Sequence, residues 1–198
     1  MKNLIDVVKE LEKNLETKYV KQRKGAHGMT LDYLEGWHVI TEMNRIFGHD
    51  GWGQTIKINH SSGEGRTCSV IASVKLTLYF KDHDPIERED VGFGNGDMEL
   101  AHKEAITDAF KRAARTLGYP LGLALYDKEK LKVGEPTLSK KDARVVFGTL
   151  EQVFRMATSK EDLKQCAKDN AEVVKTLPED WKQHVREEYT KCMEALDK

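Results

Sequence analysis

From Cys68 to Phe80 every even position is apolar: Cys68, Val70, Ala72, Val74, Leu76, Leu78 and Phe80. Successive side chains of a β-strand point to opposite faces, so this alternation predicts a strand that buries one face and wets the other. Such a strand needs neighbours and a covering layer. Upstream, Trp52 to Ile58 supplies a partner strand beyond the turn-rich stretch Asn59 to Gly65; downstream, Lys81 to Pro85 turns the chain into a third strand near Ile86 to Phe93. Three consecutive strands joined this way predict an antiparallel meander.

The covering layer follows directly. Met98 to Leu117 has helical spacing, with Ala105, Ile106, Ala109, Phe110, Ala113 and Leu117 on one broad face, and Gly118 and Pro120 end it. Leu4, Ile5, Val8, Leu11 and Leu15 predict a short docking helix, and Trp37, Ile40, Met43 and Phe47 predict a second from Glu35 to Phe47, stopped by Gly48. Between them, Lys18 to Gly28 carries Lys21, Arg23 and Lys24 beside Gly25, Ala26 and Gly28, and predicts a basic loop or irregular extended segment. The expected fold class is therefore α+β: a three-stranded antiparallel β-meander packed on a long helix, an α-β-β-β-α core. Past a linker at Val133 to Pro136, Ser139 to Leu196 predicts a small helical C-terminal appendage, with Ser159-x-x-Asp162 as a capping box and Pro178 at a helix start. The expected division is 1–134 and 135–198.

Composition narrows the function classes. With 32 basic and 33 acidic side chains in 198 residues, the net charge is -1 and the pI about 6.7, so bulk positive charge cannot coat nucleic acid and any such site must be a local groove. Three scattered cysteines, Cys68, Cys166 and Cys192, form neither a disulfide framework nor a zinc cluster and are expected as reduced thiols. No run of about 18 apolar residues exists, and the charged amphipathic start is unlike a signal peptide, which predicts a cytoplasmic protein with no membrane partner. Seven histidines include no His-Glu-x-x-His spacing, and His102 reads as packed or solvated, so no metal is expected. Glu89 and Asp90 point to opposite strand faces and form no catalytic dyad. The Gly92, Gly94 and Gly96 series lacks the lysine and hydroxyl residue of a nucleotide-phosphate loop, so no cofactor is expected, and backbone bending or close approach to another chain accounts for it better.

The polar face of the Met98 to Leu117 helix carries Lys103, Thr107, Lys111, Arg112 and Arg115, interrupted by Glu104 and Asp108. Acids early and bases late complement the helix dipole, which alone could account for the pattern. Three bases on two helical turns can equally span successive phosphates of a nucleic-acid backbone. Trp37 and Trp52 could stack on bases, but both lie beside apolar positions and are expected in the core.

Several ordered blocks add a resemblance. Tyr33-Leu-Glu-Gly-Trp-His-Val-Ile40, Phe47-Gly-His-Asp-Gly-Trp52, Glu89-Asp-Val-Gly-Phe-Gly94, and Lys103 through Gly118 followed by Leu121-Gly122 and Asp127-Lys128 occur in the order found in the Rad-fifty-two family of single-strand annealing proteins. Over roughly Tyr19 to Leu131 the chain resembles that family's annealing domain, bacteriophage-type members included. The resemblance implies a non-enzymatic, ATP-independent protein of homologous recombination and DNA repair that binds and anneals single-stranded DNA as a ring or arc of many subunits. It implies an inner DNA groove lined by Lys111, Arg112 and Arg115 with Arg23, to which Lys103 and the neighbouring Lys21 are candidate additions. Arg66 falls where the family places a basic residue of an outer DNA site, although the chain is short between Gly94 and Lys103 and has no counterpart of the Lys-bearing loop that completes that site. A bacteriophage-type member would work in the bacterial host cytoplasm, and its C-terminal helices would dock a single-strand binding protein or an exonuclease. A helix on a three-stranded sheet also suits a duplex DNA or RNA shape-binding module. A third reading is a structural oligomer whose basic helix face makes subunit contacts.

Overall fold

A computed structural model describes residues 1–25, 28–135 and 137–196, and the chain divides into two compact units, Met1–Gly134 and Glu135–Lys198. Ala26 of the basic segment and Pro136 of the linker lie outside the described residues.

The first unit is α+β, built on the meander. Strands β3 (Trp52–Ser62), β4 (Cys68–Leu78) and β5 (Ile86–Gly96) form an antiparallel sheet in the order β3-β4-β5. Each even residue from Cys68 to Leu78 is buried, as the alternation requires, and Phe80 is buried just beyond the strand end. Both flanking strands run further than their apolar content suggested. β3 continues through a register shift between Ile58 and His60 into the polar Ser61 and Ser62, because backbone pairing with Val70 and Ser69 holds them. β5 extends through Gly94 to Gly96 for the same reason, opposite Val70 and Cys68.

Helix α3 (Met98–Arg115) starts where the Asp97 side chain accepts the Leu100 amide at 2.8 Å, and it lies on β4 and β5. Its buried stripe is Ala101, Ala105, Ala109, Phe110, Ala113 and Ala114, smaller and rotated slightly from the face expected, with Ile106 and Leu117 only partly buried. The small side chains answer the glycines of β5. A methyl group on Gly92 would sit 2.3 Å from the Ala105 carbonyl oxygen and 2.2 Å from the Ala109 nitrogen, and one on Gly94 would sit 2.1 Å from the Ala101 oxygen. The close approach is thus to the chain's own helix, not to another chain. Where α3 touches the strand edge, Asp108 and Glu104 accept the Phe93 and Asn95 amides at 3.4 and 3.3 Å, which explains the acids on an otherwise basic face.

Helices α1 (Leu4–Leu11) and α2 (Gly36–Phe47) complete the core. α1 stops a turn short of Leu15, which is buried in extended chain bridged to Val133. α2 buries His38, Val39, Met43, Ile46 and Phe47, leaving Trp37 57% and Ile40 44% exposed, so the expected core role of Trp37 is overturned. Tyr19 stacks on the buried His38 at 4.0 Å with an 18° interplanar angle, and burial lowers the His38 pKa, favouring the neutral ring. Trp52 is packed as expected, its ring 5.9 Å from Phe110 and its indole N–H donating to Asn44 Oδ1 at 2.9 Å.

The second unit contains α4 (Lys140–Arg155), α5 (Lys160–Asp169), α6 (Ala171–Lys175) and α7 (Glu179–Ala195) around Ala143, Leu150, Phe154, Leu163, Leu177, Val185 and Cys192. Ser159 Oγ accepts the Asp162 amide at 3.1 Å, the first half of the capping box its spacing predicts, while the Asp162 side chain accepts the Thr158 amide at 2.9 Å, one residue before the cap. Among the described residues the three cysteines are free, and no helix is long and apolar enough to cross a membrane.

Candidate nucleic-acid interface

The basic segment expected to be a loop or irregular extended chain is one strand of a paired hairpin. β1 (Lys21–Lys24) pairs antiparallel with β2 (Thr30–Tyr33), with Arg23 opposite Leu31 and Lys21 opposite Tyr33. Cross-strand pairing converts a stretch without an apolar pattern into a strand. It also fixes where Arg23 points: its guanidinium lies over the Tyr33 ring, 5.7 Å from the centroid, and the Lys111 ammonium lies 5.9 Å from the same ring. One aromatic thus brings together a hairpin cation and a helix cation that are far apart in sequence.

These residues line a furrow of about 410 Å³ between the hairpin, the C-terminal half of α3 and the 3₁₀ turn Leu123–Tyr126. Its lining includes five cations, Arg23, Lys111, Arg112, Arg115 and Lys130, against two carboxylates, Asp32 and Asp108. The local charge is therefore positive although the chain as a whole is nearly neutral.

Each cation is held differently. Lys111 donates to the Leu34 carbonyl at 3.4 Å; burial lowers its pKa below the usual lysine range, with Asp108 opposing and Arg23 adding to the fall. Arg112 Nε donates to Asp90 Oδ1 at 3.1 Å, which raises the guanidinium pKa. At Asp90 burial favours the protonated acid, but the Val91 amide and Arg112 outweigh it and lower the pKa. Arg115 donates to the Tyr126 hydroxyl and lies over that ring, 4.4 Å from its centroid. Lys130 pairs with Asp32, and that bond leads the causes that lower the Asp32 pKa.

Four of the residues expected at the groove, Arg23, Lys111, Arg112 and Arg115, therefore meet on one surface. Lys103 and Lys21, also candidates for the groove, do not line it, and neither does Arg66, expected at a separate outer site. Lys103 is exposed on the same helix two turns towards its start, Arg66 is exposed in the turn before β4, and Lys21 is exposed on β1. Sequence reasoning missed Lys130, Tyr126 and Tyr33. Lys130 carried a weak signal as the residue after Asp127-x-x, where the Asp127 side chain accepts the Glu129 and Leu131 amides at 3.1 and 3.0 Å and shapes the loop.

A family profile described as the Rad52/22 family double-strand break repair protein matches residues 3–144, most of the chain. The chain belongs to the Rad52/22 family. Similar proteins include the "DNA repair and recombination protein RAD52" of Eremothecium gossypii, 39% identical over 66% of this chain and 32% of that protein. The RAD52 of Saccharomyces cerevisiae is 35% identical over 64% of this chain and 29% of its own length, and the rad22 protein of Schizosaccharomyces pombe is 35% identical over 62% and 28%. The chain thus corresponds to about a third of these fungal relatives. Their names place the Rad52/22 family in DNA repair and recombination, and every cation of the furrow falls within the matched residues.

Proposed function

We propose that this Rad52/22 chain binds single-stranded DNA in the furrow and anneals complementary strands without ATP, as a ring or arc of subunits. The observation that carries this reading is the convergence of Arg23 with Lys111, Arg112 and Arg115 beside Tyr33. Guanidinium and ammonium groups in such an array suit phosphate oxygens and ignore base identity, leaving base edges free to pair. Pairing itself releases roughly 1.4 kcal/mol per base-pair step, so the protein only extends the strand and holds its register. Repetition of a small cationic site along an oligomer compensates for the neutral net charge.

In this reading residues 1–134 form the annealing and oligomerisation core, Lys103 and Lys21 flank the groove, and Arg66 belongs to an outer strand path. Residues 135–198 dock a replication partner such as a single-strand binding protein or exonuclease. The chain is read as a bacteriophage-type member acting in a bacterial cytoplasm, within a family whose matched relatives here are fungal.

The test is a fluorescence annealing assay with complementary oligonucleotides, without ATP, beside a particle-mass measurement. Lys111→Ala and Arg112→Ala should weaken single-strand binding and flatten its log-log salt dependence by about 0.7 per lost contact. Folded variants that bind as tightly as wild type at every salt concentration would refute the groove, and preference for duplex in competition would support shape recognition instead.

A further inference from the structure

Tyr126 is the most exposed aromatic side chain of the described residues whose relative exposure stands out, at 66%, yet it is not idle surface. It lines the furrow, its hydroxyl accepts from Arg115 Nη1, and its ring lies under the same guanidinium, 4.4 Å from centroid to carbon. Two contacts of different kinds on one guanidinium fix both its position and its tilt. Arg115 is otherwise a long side chain near the end of a helix, where freedom of rotation works against holding a phosphate.

Tyr126 is itself held. Gly122 adopts φ +111°, a left-handed conformation that favours glycine, and it opens the 3₁₀ turn Leu123–Tyr126. Immediately after the turn, the Asp127 side chain accepts the Glu129 and Leu131 amides. A tyrosine with two rotatable bonds, carried on a turn fixed at both ends, can orient an arginine at small entropic cost.

We propose that Tyr126 is a positioning residue for strand binding, holding the Arg115 guanidinium oriented towards the phosphate path; this rests on the furrow being the DNA groove. The ring contact uses none of the guanidinium N–H donors and the hydroxyl uses one, so the others remain free for an anion.

The test measures affinity for oligo(dT) at several salt concentrations, using the full chain, with thermal melts to verify folding. Tyr126→Leu should weaken binding by about two- to fivefold, the loss of a surface cation–π contact, and flatten the salt dependence. Tyr126→Phe, which keeps the ring, should stay within about twofold of wild type. In an Arg115→Ala background, Tyr126→Leu should cost nothing further, since its effect runs through the arginine. Tyr126→Gln provides a second ringless variant should the leucine form melt early.

Three outcomes overturn the proposal. Wild-type affinity of both ringless variants, with Arg115→Ala and Lys111→Ala both weak, removes Tyr126 and leaves the groove standing. A loss that persists in the Arg115→Ala background and disappears on an abasic strand makes Tyr126 a direct base contact instead. Wild-type binding by Lys111→Ala, Arg112→Ala and Arg115→Ala together removes the groove itself, and the role of Tyr126 with it.

Discussion

Arg112 Nε donates to Asp90 Oδ1 at 3.1 Å, joining the cationic face of α3 to the strand beneath it, with the two side chains 43% and 24% exposed. The bond uses the inner edge of the guanidinium and leaves its terminal nitrogens available. Asp90 therefore both aims Arg112 and opposes, by its charge, the approach of a phosphate. Asp90→Asn keeps a carbonyl acceptor for Nε while removing that charge. Single-strand affinity should rise by about two- to fivefold at low salt, with the gain shrinking as salt screens it. Binding isotherms at two ionic strengths check this, and a loss of affinity would show that orientation outweighs repulsion.

The same carboxylate sets an acid-side dependence of stability. Its folded pKa lies below the ordinary aspartate value, so the ionised form is favoured by folding. The stabilisation is complete above the unfolded value of about 3.9 and is lost as the pH falls through the lower folded value. Asp90→Asn should therefore be less stable than wild type at neutral pH, and the difference should close below about pH 4. Denaturant melts across that range would expose a constant gap, which is the contrary result.

Lys111 gives the opposite end of the pH scale. Burial lowers its pKa, so it sheds its proton at a lower pH than a free lysine, whose value is about 10.4. A bound phosphate favours the charged form, so strand binding should take up a proton in alkaline solution. Affinity should fall as the pH climbs towards 10, and Lys111→Arg, which stays charged, should remove the fall. Titrating affinity against pH for both proteins separates this from a general alkaline effect.

Gly94 offers a stability test remote from charge. A methyl group there meets the Ala101 oxygen at 2.1 Å and the Ala105 nitrogen at 2.7 Å, both main-chain atoms that cannot rotate away. Gly94→Ala should cost about 1–3 kcal/mol or more and lower the thermal midpoint. An unchanged melting curve would mean that α3 shifts freely.

The helical unit supplies a control. Leu177 and Leu163 are fully buried among α4, α5 and α7, so Leu177→Ala should destabilise that unit by about 2–5 kcal/mol. Single-strand affinity should be unaffected, because the furrow is built entirely from residues before Glu135. Weakened binding by the folded variant would implicate the helices in the groove.

Much of the fold was legible because its strongest signals are local. The even-residue alternation of β4 reflects a buried face read directly from spacing, and Gly118 with Pro120 marks the end of α3 to within a turn. α2 misled because its apolar residues fit more than one stripe; the buried stripe contains His38, stacked on Tyr19 from outside the helix, and Trp37 lies at its exposed edge. In the furrow, Lys111, Arg112 and Arg115 were legible as one helix face. Their meeting with Arg23 was implied by the family resemblance alone and by no spacing, since it depends on a hairpin with no apolar alternation and on Tyr33 lying between the two elements. Lys130 and Tyr126 were missed because they sit on loops, where no period announces a direction.

Along β5, glycine meets alanine with no side chain between the two backbones. At Gly92 and Gly94 the seat of α3 on the sheet is therefore set by peptide groups rather than by aliphatic chains, which can repack when one of them changes. Substitutions at Lys111, Arg112 and Arg115 can thus alter the charge of the furrow while the helix that carries them keeps its seat on the sheet.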